Sequence, residues 1–488
     1  MSGPLRMART PFDLVVIGSG PAGQQAAIHA AEAGKRVAMV ERKPRLGGVG
    51  LQTGTIPSKA LRETAYAAAV ATRSGMRASL GRDLVSQHRL LIDAIHKKDD
   101  VINQQESVLL NRLMRSGVTL IPGEARFADP HTLIVRSPRD EERQLTADAI
   151  ILATGSRPRR PEWVPLDRER VHDSTSILHM TRLPERLLVV GGGVIACEFA
   201  SIYAALGVSV TIIDSHAQIL SWLSSDIVRA LTDSMIAMGI TFSMQQSVTA
   251  IRRQDGEVTA TLDDGSELRG DCLLYAMGRK PNMDHLALDR AGVAIDAHGW
   301  IAVDGGFRSN VPHIYAVGDL IGNPALASAA QEQGRIAAAH ACGEMAEESR
   351  HAPPALPFAI YTIPEVSSIG RTEHELQEDH VDYVVGYGRF NDSARGKIIG
   401  DYNGMVKLNV DVATRCLLGV HIVGESASEL IHIGQLVISY HGVVDDLVRN
   451  VFNYPTLAEC YRMAALDCLQ QLTQLTSDFS DNKAKNPK

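Results

Sequence analysis

Two stretches of the chain repeat one order of apolar and polar positions. In each, a short apolar run leads into a glycine-rich turn, a segment of small residues, and a second apolar run that ends in an acid. The first copy spans residues 13–42 and the second spans residues 187–214. Short apolar runs bounded by glycine are typical of buried strands, whereas the longer alanine-rich segment favours a helix. The pattern predicts two strand–turn–helix–strand units in an α/β protein.

The first unit carries the glycine spacing of a dinucleotide-binding turn. Gly18 suits a tight turn, Gly20 lets the backbone approach a pyrophosphate, and Gly23 allows helix and strand to pack closely. The helix that follows offers free N–H groups and a partial positive charge to phosphates. Glu41 ends the second strand, where an acid can accept hydrogen bonds from a ribose. These features predict that the unit binds a dinucleotide.

The second unit has the same plan. Gly191 and Gly193 take the first two positions, and Ala196 takes the third, which the motif permits. Asp214 closes the second strand as the expected ribose acceptor. The alternative is a unit that only packs against its neighbours. Two dinucleotide sites in one chain predict a flavin beside a nicotinamide, with a hydride passing between the two rings.

Later segments indicate which unit holds which cofactor. IYAVGD ends at Asp319, which could hydrogen-bond the ribityl chain of FAD, and a predicted helix follows with its N-terminus toward the flavin. ATGSRPRRP, 153–161, and AMGRKPN, 276–282, are predicted crossings between a flavin domain and a nicotinamide domain inserted into it. The remaining candidate contacts are Gly48, Thr154, Gly155 and Ala327 for FAD, and Gly278 for NAD(P).

The composition of the chain disfavours several classes of partner and cellular location. A net charge of -7 disfavours nucleic acid, which would require a basic patch. The apolar stretch 187–213 is interrupted by glycines, so it predicts strands and a helix and not a membrane span. The opening residues lack the pattern of a secretory leader, which predicts a cytoplasmic location. The six cysteines are scattered and include no CxxC pair, so neither a disulfide framework nor a metal site is expected.

Six motifs carry a family resemblance over nearly the whole chain. GSGPAG, GTIPSKAL, ATGSRP, GGGVIACE, AMGRKPN and YAVGD resemble segments of the flavoprotein disulfide reductases. Within that family HDSTSIL, IYTIPEVSSIG and FNYPTLAECYRMAAL look most like the soluble, Si-specific NAD(P)+ transhydrogenases. The resemblance implies two Rossmann-like dinucleotide-binding domains, for FAD and NAD(P), and a C-terminal α/β dimerisation domain. It also implies a homodimer in which the last domain lends a loop to the partner's flavin.

We predict the domain boundaries from the positions of these motifs. The FAD-binding domain comprises residues 1–155 and 284–350, and the NAD(P)-binding domain comprises residues 156–283. The dimerisation domain spans residues 351–473. Residues 474–488 are polar and charged, and we expect them to form a disordered tail.

Three positions depart from the disulfide reductase pattern. That family carries cysteines where this chain has Gly50 and Thr55, and a histidine where it has Tyr454, although the acid Glu459 remains. A phenol is a poor replacement for an imidazole as a proton carrier near neutral pH. Because the flanking motifs are intact, the sequence favours a change of chemistry over degeneration.

The resemblance implies the chemistry that is left. It places Lys59 near the flavin and pairs it with Glu198, while Thr55 lies beside the ring. The expected reaction moves a hydride between NADPH or NADH and NAD+ or NADP+ through FAD without a redox disulfide. The alternatives are an NADH-dependent diaphorase that reduces a quinone or a metal, and a non-catalytic flavin-binding redox sensor. Asp214 should repel a 2′-phosphate, so we expect NAD(H) to bind better than NADP(H).

Overall fold

The three largest sheets of the fold are a seven-stranded mixed sheet with a parallel centre, a five-stranded parallel sheet and a five-stranded antiparallel sheet. The structure is a computed structural model that describes residues 10–73, 84–254, 256–344 and 356–485. The mixed sheet and the parallel sheet each contain one of the two predicted strand–turn–helix–strand units, and the five-stranded antiparallel sheet follows both of them in the chain. The predicted α/β fold class is therefore confirmed.

The first predicted unit lies at the centre of a seven-stranded sheet. Strand Thr10–Ile17 pairs in parallel with Val37–Glu41 on one side and with Glu142–Leu152 on the other. Its residues from Leu14 to Ile17 are buried, as expected of a strand covered on both faces. In spatial order the strands are Thr119–Pro122, Val37–Glu41, Thr10–Ile17, Glu142–Leu152, Thr132–Arg136 and Glu124–Asp129, with Ile314–Ala316 also paired to Glu142–Leu152. The accompanying helices are Pro21–Glu32, Gly48–Gln52, Thr55–Arg73, Leu84–Arg115, Leu288–Ala291 and Ala327–Ala341.

The second predicted unit lies within a five-stranded parallel sheet, to which it contributes two strands. Strand Arg186–Val190 leads into helix Val194–Ala205 and then into strand Ser209–Asp214, as predicted. The helix is almost wholly buried because small and apolar residues cover every side of it. In spatial order the strands are Thr241–Met244, Ser209–Asp214, Arg186–Val190, Cys272–Tyr275 and Val171–His172. Helix Ser225–Ala237 and an antiparallel layer of Val248–Gln254, Glu257–Leu262 and Glu267–Gly270 complete this part.

The two predicted crossings pair with each other. The two crossings form a two-stranded antiparallel ribbon, made of Ser156–Pro158 and Arg279–Pro281. The ribbon lies where the chain passes between the seven-stranded and the five-stranded parallel sheet. Asn282 Nδ2 donates to the carbonyl of Thr154 at 2.9 Å, and Thr154 Oγ1 donates to the carbonyl of Asn282 at 2.7 Å. Both passages of the chain are thereby fixed side by side, while the domain boundaries themselves stay predictions.

The third part is a five-stranded antiparallel sheet covered by helices. Strand Tyr383–Arg389 packs tightly on helix Glu459–Lys485, because a Cβ on Gly386 would lie 2.2 Å from the carbonyl of Ala464. In spatial order the strands are Phe358–Ile360, Glu365–Gly370, Leu417–Gly424, Met405–Asp411 and Tyr383–Arg389. The other helices are Glu373–Glu378, Ala394–Ile399, Ala427–Ser439 and Val444–Arg449.

Buried charges join this third part to the second. Lys407, on strand Met405–Asp411, is fully buried, and its Nζ lies 2.9 Å from Asp226 Oδ2 and also binds Glu373. Asp226 lies in the first turn of helix Ser225–Ala237, in the second part. A buried ammonium without such partners would be strongly unfavourable, so the contact requires the two parts to stay docked.

The end of the chain differs from the expectation of disorder. The last helix begins at Glu459 and continues to Lys485, so residues 474–485 of the predicted tail are helical. Extending an established helix costs far less than nucleating one, because each further residue adds a hydrogen bond. The polar composition that suggested disorder did not reveal this extension, and residues 486–488 lie outside the described residues. Among the described helices, none is both long enough and apolar enough to cross a bilayer.

Candidate active site

A cavity of about 1480 Å³ lies where the three parts meet. It is bounded by the glycine turn of the first unit, the start of helix Val194–Ala205 in the second, and the strand that ends at Ile360 in the third. The predicted site residues that line it are Gly18, Gly20, Glu41, Gly48, Thr55, Lys59, Thr154, Gly155, Glu198, Asp319 and Ala327.

The first glycine turn is shaped to admit a ligand close to its backbone. Gly18 has a φ of +108°, and a Cβ there would lie 2.4 Å from the carbonyl of Ala153. A Cβ on Gly23 would lie 1.9 Å from the carbonyl of Gly18, so these two glycines serve the packing of the turn. Gly20 is different, because a Cβ there would meet no atom within 4 Å. The open space over Gly20, at the N-terminus of helix Pro21–Glu32, suits a phosphate group.

The acid that ends the second strand is held in place by this turn. Glu41 Oε2 accepts hydrogen bonds from Ser19 N at 2.9 Å and Ser19 Oγ at 2.7 Å, and Oε1 accepts one from Lys43 N. Ser19 Oγ also accepts a hydrogen bond from Gly47 N. Gly48 follows with a φ of +56°, and a Cβ there would come within 2.8 Å of Gly20 Cα. The first glycine turn and the turn at Gly47–Gly48 therefore lie against each other at the cavity wall.

A buried ion pair occupies the middle of the cavity wall. Lys59 Nζ lies 2.9 Å from Glu198 Oε1 and 2.8 Å from Oε2, with the two side chains 26% and 7% exposed. Glu198 Oε1 also accepts the backbone N–H of Tyr361 at 2.9 Å. The ring of Tyr361 lies under the ammonium, 4.7 Å from Nζ to the centroid. Each side chain comes from a different part of the fold, so the site is assembled by domain packing.

Burial makes Tyr361 a neutral neighbour for this pair. Desolvation raises the pKa of Tyr361, and the charges of Glu365 and Glu198 raise it further. Its ring therefore contributes an uncharged aromatic surface at neutral pH. No local motif marks Tyr361 as a site residue, although it lies in the segment IYTIPEVSSIG.

A second polar cluster lies where Asp319 meets the crossing ribbon. Ser156 Oγ donates to Asp319 and accepts a hydrogen bond from Arg279 Nε at 2.7 Å. The guanidinium is 3.8 Å from Asp319 Oδ2, and desolvation lowers the pKa of Arg279. Ser156 and Arg279 were likewise not assigned from the sequence, since their contacts with Asp319 join distant segments.

The helix that follows Asp319 also faces the cavity. Helix Ala327–Ala341 begins at the cavity wall, and its Gly334 touches the first unit so closely that a Cβ would lie 2.1 Å from the carbonyl of Ala22. The first turn of that helix thus presents its free N–H groups near the first glycine turn. Ala327 lines the cavity at the start of this helix, and its contact with FAD stays a prediction.

The second glycine turn lies outside the cavity lining. Gly191 has a φ of +117°, and a Cβ there would approach the carbonyl of Ala276 to 3.0 Å. Gly193 and Gly278 are open, with no atom within 4 Å of an added Cβ, and Ala196 is buried. The helix that starts here reaches the cavity through Val194, so one helix connects the second turn to the ion pair.

Thiols are absent from this cavity. Gly50 and Thr55 both line it, and none of the six cysteines does. Desolvation raises the pKa of Cys272 to about 11 and those of Cys460 and Cys468 to about 12, so these groups stay protonated thiols. In the described part of the chain, no cluster of three or more histidine, cysteine, aspartate or glutamate side chains could hold a metal.

Tyr454 and Glu459 are not brought to this cavity by their own chain. Neither residue lines it, and Tyr454 is exposed on a loop before the last helix. Several large apolar side chains of the third part are exposed, including Val451, Tyr440 and Leu436. Any contact between Tyr454 and an active site therefore requires a second copy of the chain.

Comparison with known proteins agrees with this geometry. A family model described as pyridine nucleotide-disulphide oxidoreductase matches residues 12–334, and a model of the dimerisation domain of that family matches residues 356–465. The chain is 45% identical over 466 residues to a soluble pyridine nucleotide transhydrogenase of Mycobacterium bovis, covering 95% of this chain and 98% of the relative. It is 40% identical to the protein of that name from Pseudomonas putida, covering 96% and 100%.

Solved structures show the same architecture. LpdA from Mycobacterium tuberculosis superposes with a TM-score of 0.84 at 26% identity, covering 94% of this chain and 99% of that one. The HOCl-induced flavoprotein disulfide reductase RclA from Escherichia coli gives a TM-score of 0.82 at 25% identity, covering 93% and 99%. The chain belongs to the pyridine nucleotide-disulphide oxidoreductase family.

Proposed function

We propose that this protein is an FAD-dependent pyridine nucleotide transhydrogenase, catalysing NADPH + NAD+ ⇌ NADP+ + NADH. The observation that carries the proposal is a buried Lys59–Glu198 pair in a cavity that contains no thiol. A disulfide reductase requires a cysteine pair downstream of its flavin, and this chain has Gly50 and Thr55 at those places. The relatives of 40–45% identity that are named transhydrogenases support the same reaction.

The residues of the cavity fit FAD. The open space over Gly20 leaves room for a pyrophosphate at the first glycine turn, against which Gly48 packs. Glu41 is positioned for the adenosine ribose, and Asp319 is positioned for the ribityl chain at the start of a second helix. Thr154, Gly155 and Ala327 complete the proposed FAD contacts, and Gly191, Gly193, Asp214 and Gly278 are the proposed contacts of the nicotinamide coenzyme.

The chain's own residues supply charge and orientation. FAD, when bound, provides a ring that accepts a hydride from one nicotinamide and returns it to another. Lys59 holds a positive charge against the cavity, where it stabilises negative charge that develops during transfer. Glu198 fixes the position of that ammonium, and Tyr361 excludes water from one side of it. Thr55 occupies the place of a thiol without offering a redox group.

Coenzyme preference and assembly belong to the same proposal. The charge of Asp214 favours NAD(H) over NADP(H), with both coenzymes accepted in turn. A homodimer would cover exposed apolar side chains of the third part such as Val451, which is 93% exposed. It would also place Tyr454 and Glu459 near the partner subunit's cavity. A cytoplasmic location is consistent with relatives that are named soluble and with six free cysteines.

Two assays test the function. Anaerobic mixing of the purified holoenzyme with NADH should bleach the flavin, and a flavin that stays oxidised would leave only a sensor role. NADPH with thio-NAD+ should then generate the absorbance of thio-NADH. Rapid quinone reduction without any thio-NADH would identify a diaphorase and reject transhydrogenation.

A further inference from the structure

The second glycine turn is hydrogen-bonded to Asp214, which in turn contacts His216. Asp214 Oδ2 accepts the backbone N–H of Gly192, and Oδ1 accepts the backbone N–H of His216 at 2.8 Å. His216 Nδ1 lies 2.6 Å from the same Oδ1. The carboxylate is therefore surrounded by three donors of its own chain and is only 8% exposed. The imidazole, in contrast, is 66% exposed.

This arrangement differs from that of Glu41 in the first unit. The longer side chain of Glu41 binds Ser19 and Lys43 and remains partly exposed beside the cavity. Asp214 is shorter by one methylene and lies against the turn, where a Cβ on Gly192 would come within 3.1 Å of its Cγ. Both carboxylates accept three hydrogen bonds from their own chain, but Asp214 is almost wholly buried and so leaves less of its surface open to a ribose than Glu41 does.

The end of this strand also exposes two polar side chains, the hydroxyl of Ser215 and the larger imidazole of His216. In such units the end of the second strand meets the 2′-position of the adenosine ribose. Since a carboxylate accepts, Nδ1 carries the proton of the short contact, and Nε2 is left without a hydrogen bond from any described residue. An unprotonated Nε2 can accept from a 2′-hydroxyl, and a protonated one can donate to a 2′-phosphate.

We propose that His216 contacts the 2′-substituent of the nicotinamide coenzyme and so lets one site take both NAD(H) and NADP(H). The inference rests on the proposed function, because a transhydrogenase with one such site must bind the two coenzymes in turn. No lysine or arginine in the described ranges forms an ion pair with Asp214. Among the described side chains, His216 is therefore the one that contacts Asp214 and can offset its charge beside a bound 2′-phosphate. A fixed cation would favour the phosphate, and a bare acid would favour the hydroxyl.

Two nucleotide fragments isolate this contact from hydride transfer. We would titrate the holoenzyme with 2′,5′-ADP and with 5′-AMP by calorimetry, comparing wild type, His216→Ala and His216→Arg. The alanine variant keeps the backbone N–H that binds Asp214, so the turn should be preserved. His374→Ala is a matched control, because His374 is exposed on a helix of the third part.

The expected result separates the two fragments. His216→Ala should weaken 2′,5′-ADP about tenfold or more, the value of one hydrogen bond to a charged group, and weaken 5′-AMP by about fivefold or less, the value of one hydrogen bond between neutral groups. His216→Arg should restore or tighten binding of 2′,5′-ADP alone, and His374→Ala should change neither fragment. Equal losses for both fragments, or unchanged binding of 2′,5′-ADP, would overturn the inference. If thio-NADH never forms but the fragments still separate, the proposed function fails and the assignment of His216 stands.

Discussion

Removing the Lys59–Glu198 pair one side at a time should distinguish a structural contact from a catalytic one. With Nζ 2.8 Å and 2.9 Å from the two carboxylate oxygens, the attraction is about 6 kcal/mol at an effective dielectric constant of about 20. Desolvation cancels much of this energy, and deleting one partner of a buried pair costs about 3–5 kcal/mol. Because Lys59 is 26% exposed, we expect Lys59→Met to cost about 3 kcal/mol, near the lower limit.

The double variant Lys59→Met/Glu198→Gln is the decisive protein. It leaves no unpaired charge, so its thermal unfolding should return most of the way to that of wild type, while Lys59→Met alone stays low. Lys280→Met is the matched control, because its ion pair with Asp284 is exposed and long at 3.5 Å. An exposed pair of this kind contributes about 1 kcal/mol at most, so the control should unfold like wild type.

Catalysis should not recover with stability. In stopped-flow mixing with NADH, the double variant should reduce its flavin at least about tenfold more slowly than wild type, which corresponds to a loss of about 1.4 kcal/mol of transition-state stabilisation. The physical reason is that a methionine cannot place positive charge where negative charge develops. A double variant that regains both the unfolding temperature and the reduction rate would refute a catalytic role for Lys59 and leave only its structural one.

Three further predictions follow from other contacts. Asp214→Asn removes the negative charge behind the 2′-position, so the KM for NADPH should fall relative to that for NADH, and an unchanged ratio would contradict the repulsion. Val451→Asp should convert a dimer into monomers in sedimentation velocity, whereas Val108→Asp, at another exposed apolar side chain, should leave the dimer intact. Lys407→Met should lower the unfolding temperature, at a cost of about 3 kcal/mol, since Asp226 loses a buried partner, while the exposed Lys397→Met should not.

The order of the elements could be predicted because local patterns specify it. Gly18 and Gly191 both require positive φ, and each follows a short apolar strand, so one sequence signal located both turns. The crossings were predictable for the same reason, since ATGSRP and AMGRKPN each follow a buried strand. The pairing of these two segments into one ribbon depends on contacts between residues more than a hundred positions apart, such as Thr154 with Asn282.

Contacts between distant segments were the part that the sequence could not provide. Tyr361 reaches Glu198 across 163 positions, and its role depends on how the third part docks on the second. The orientation of Asp214 could not be predicted either, because an acid at the end of a strand can be open to a ribose or buried against its own turn. Only the hydrogen bonds from Gly192 and His216 show which of the two occurs.

The absence of thiols at positions 50 and 55 and the presence of the Lys59–Glu198 pair do not depend on each other. Gly50 is packed against the first turn, since a Cβ there would lie 2.8 Å from Pro21 Cγ, so a cysteine would fit only after that ring moves. Lys59 and Glu198 do not depend on this position, because they are held by each other and by Tyr361. In a disulfide reductase the thiols receive electrons after the flavin, whereas a cation beside the flavin serves its exchange with nicotinamide. A chain that keeps the Lys59–Glu198 pair but lacks the thiols retains hydride exchange between flavin and nicotinamide. That exchange alone is sufficient for transhydrogenation.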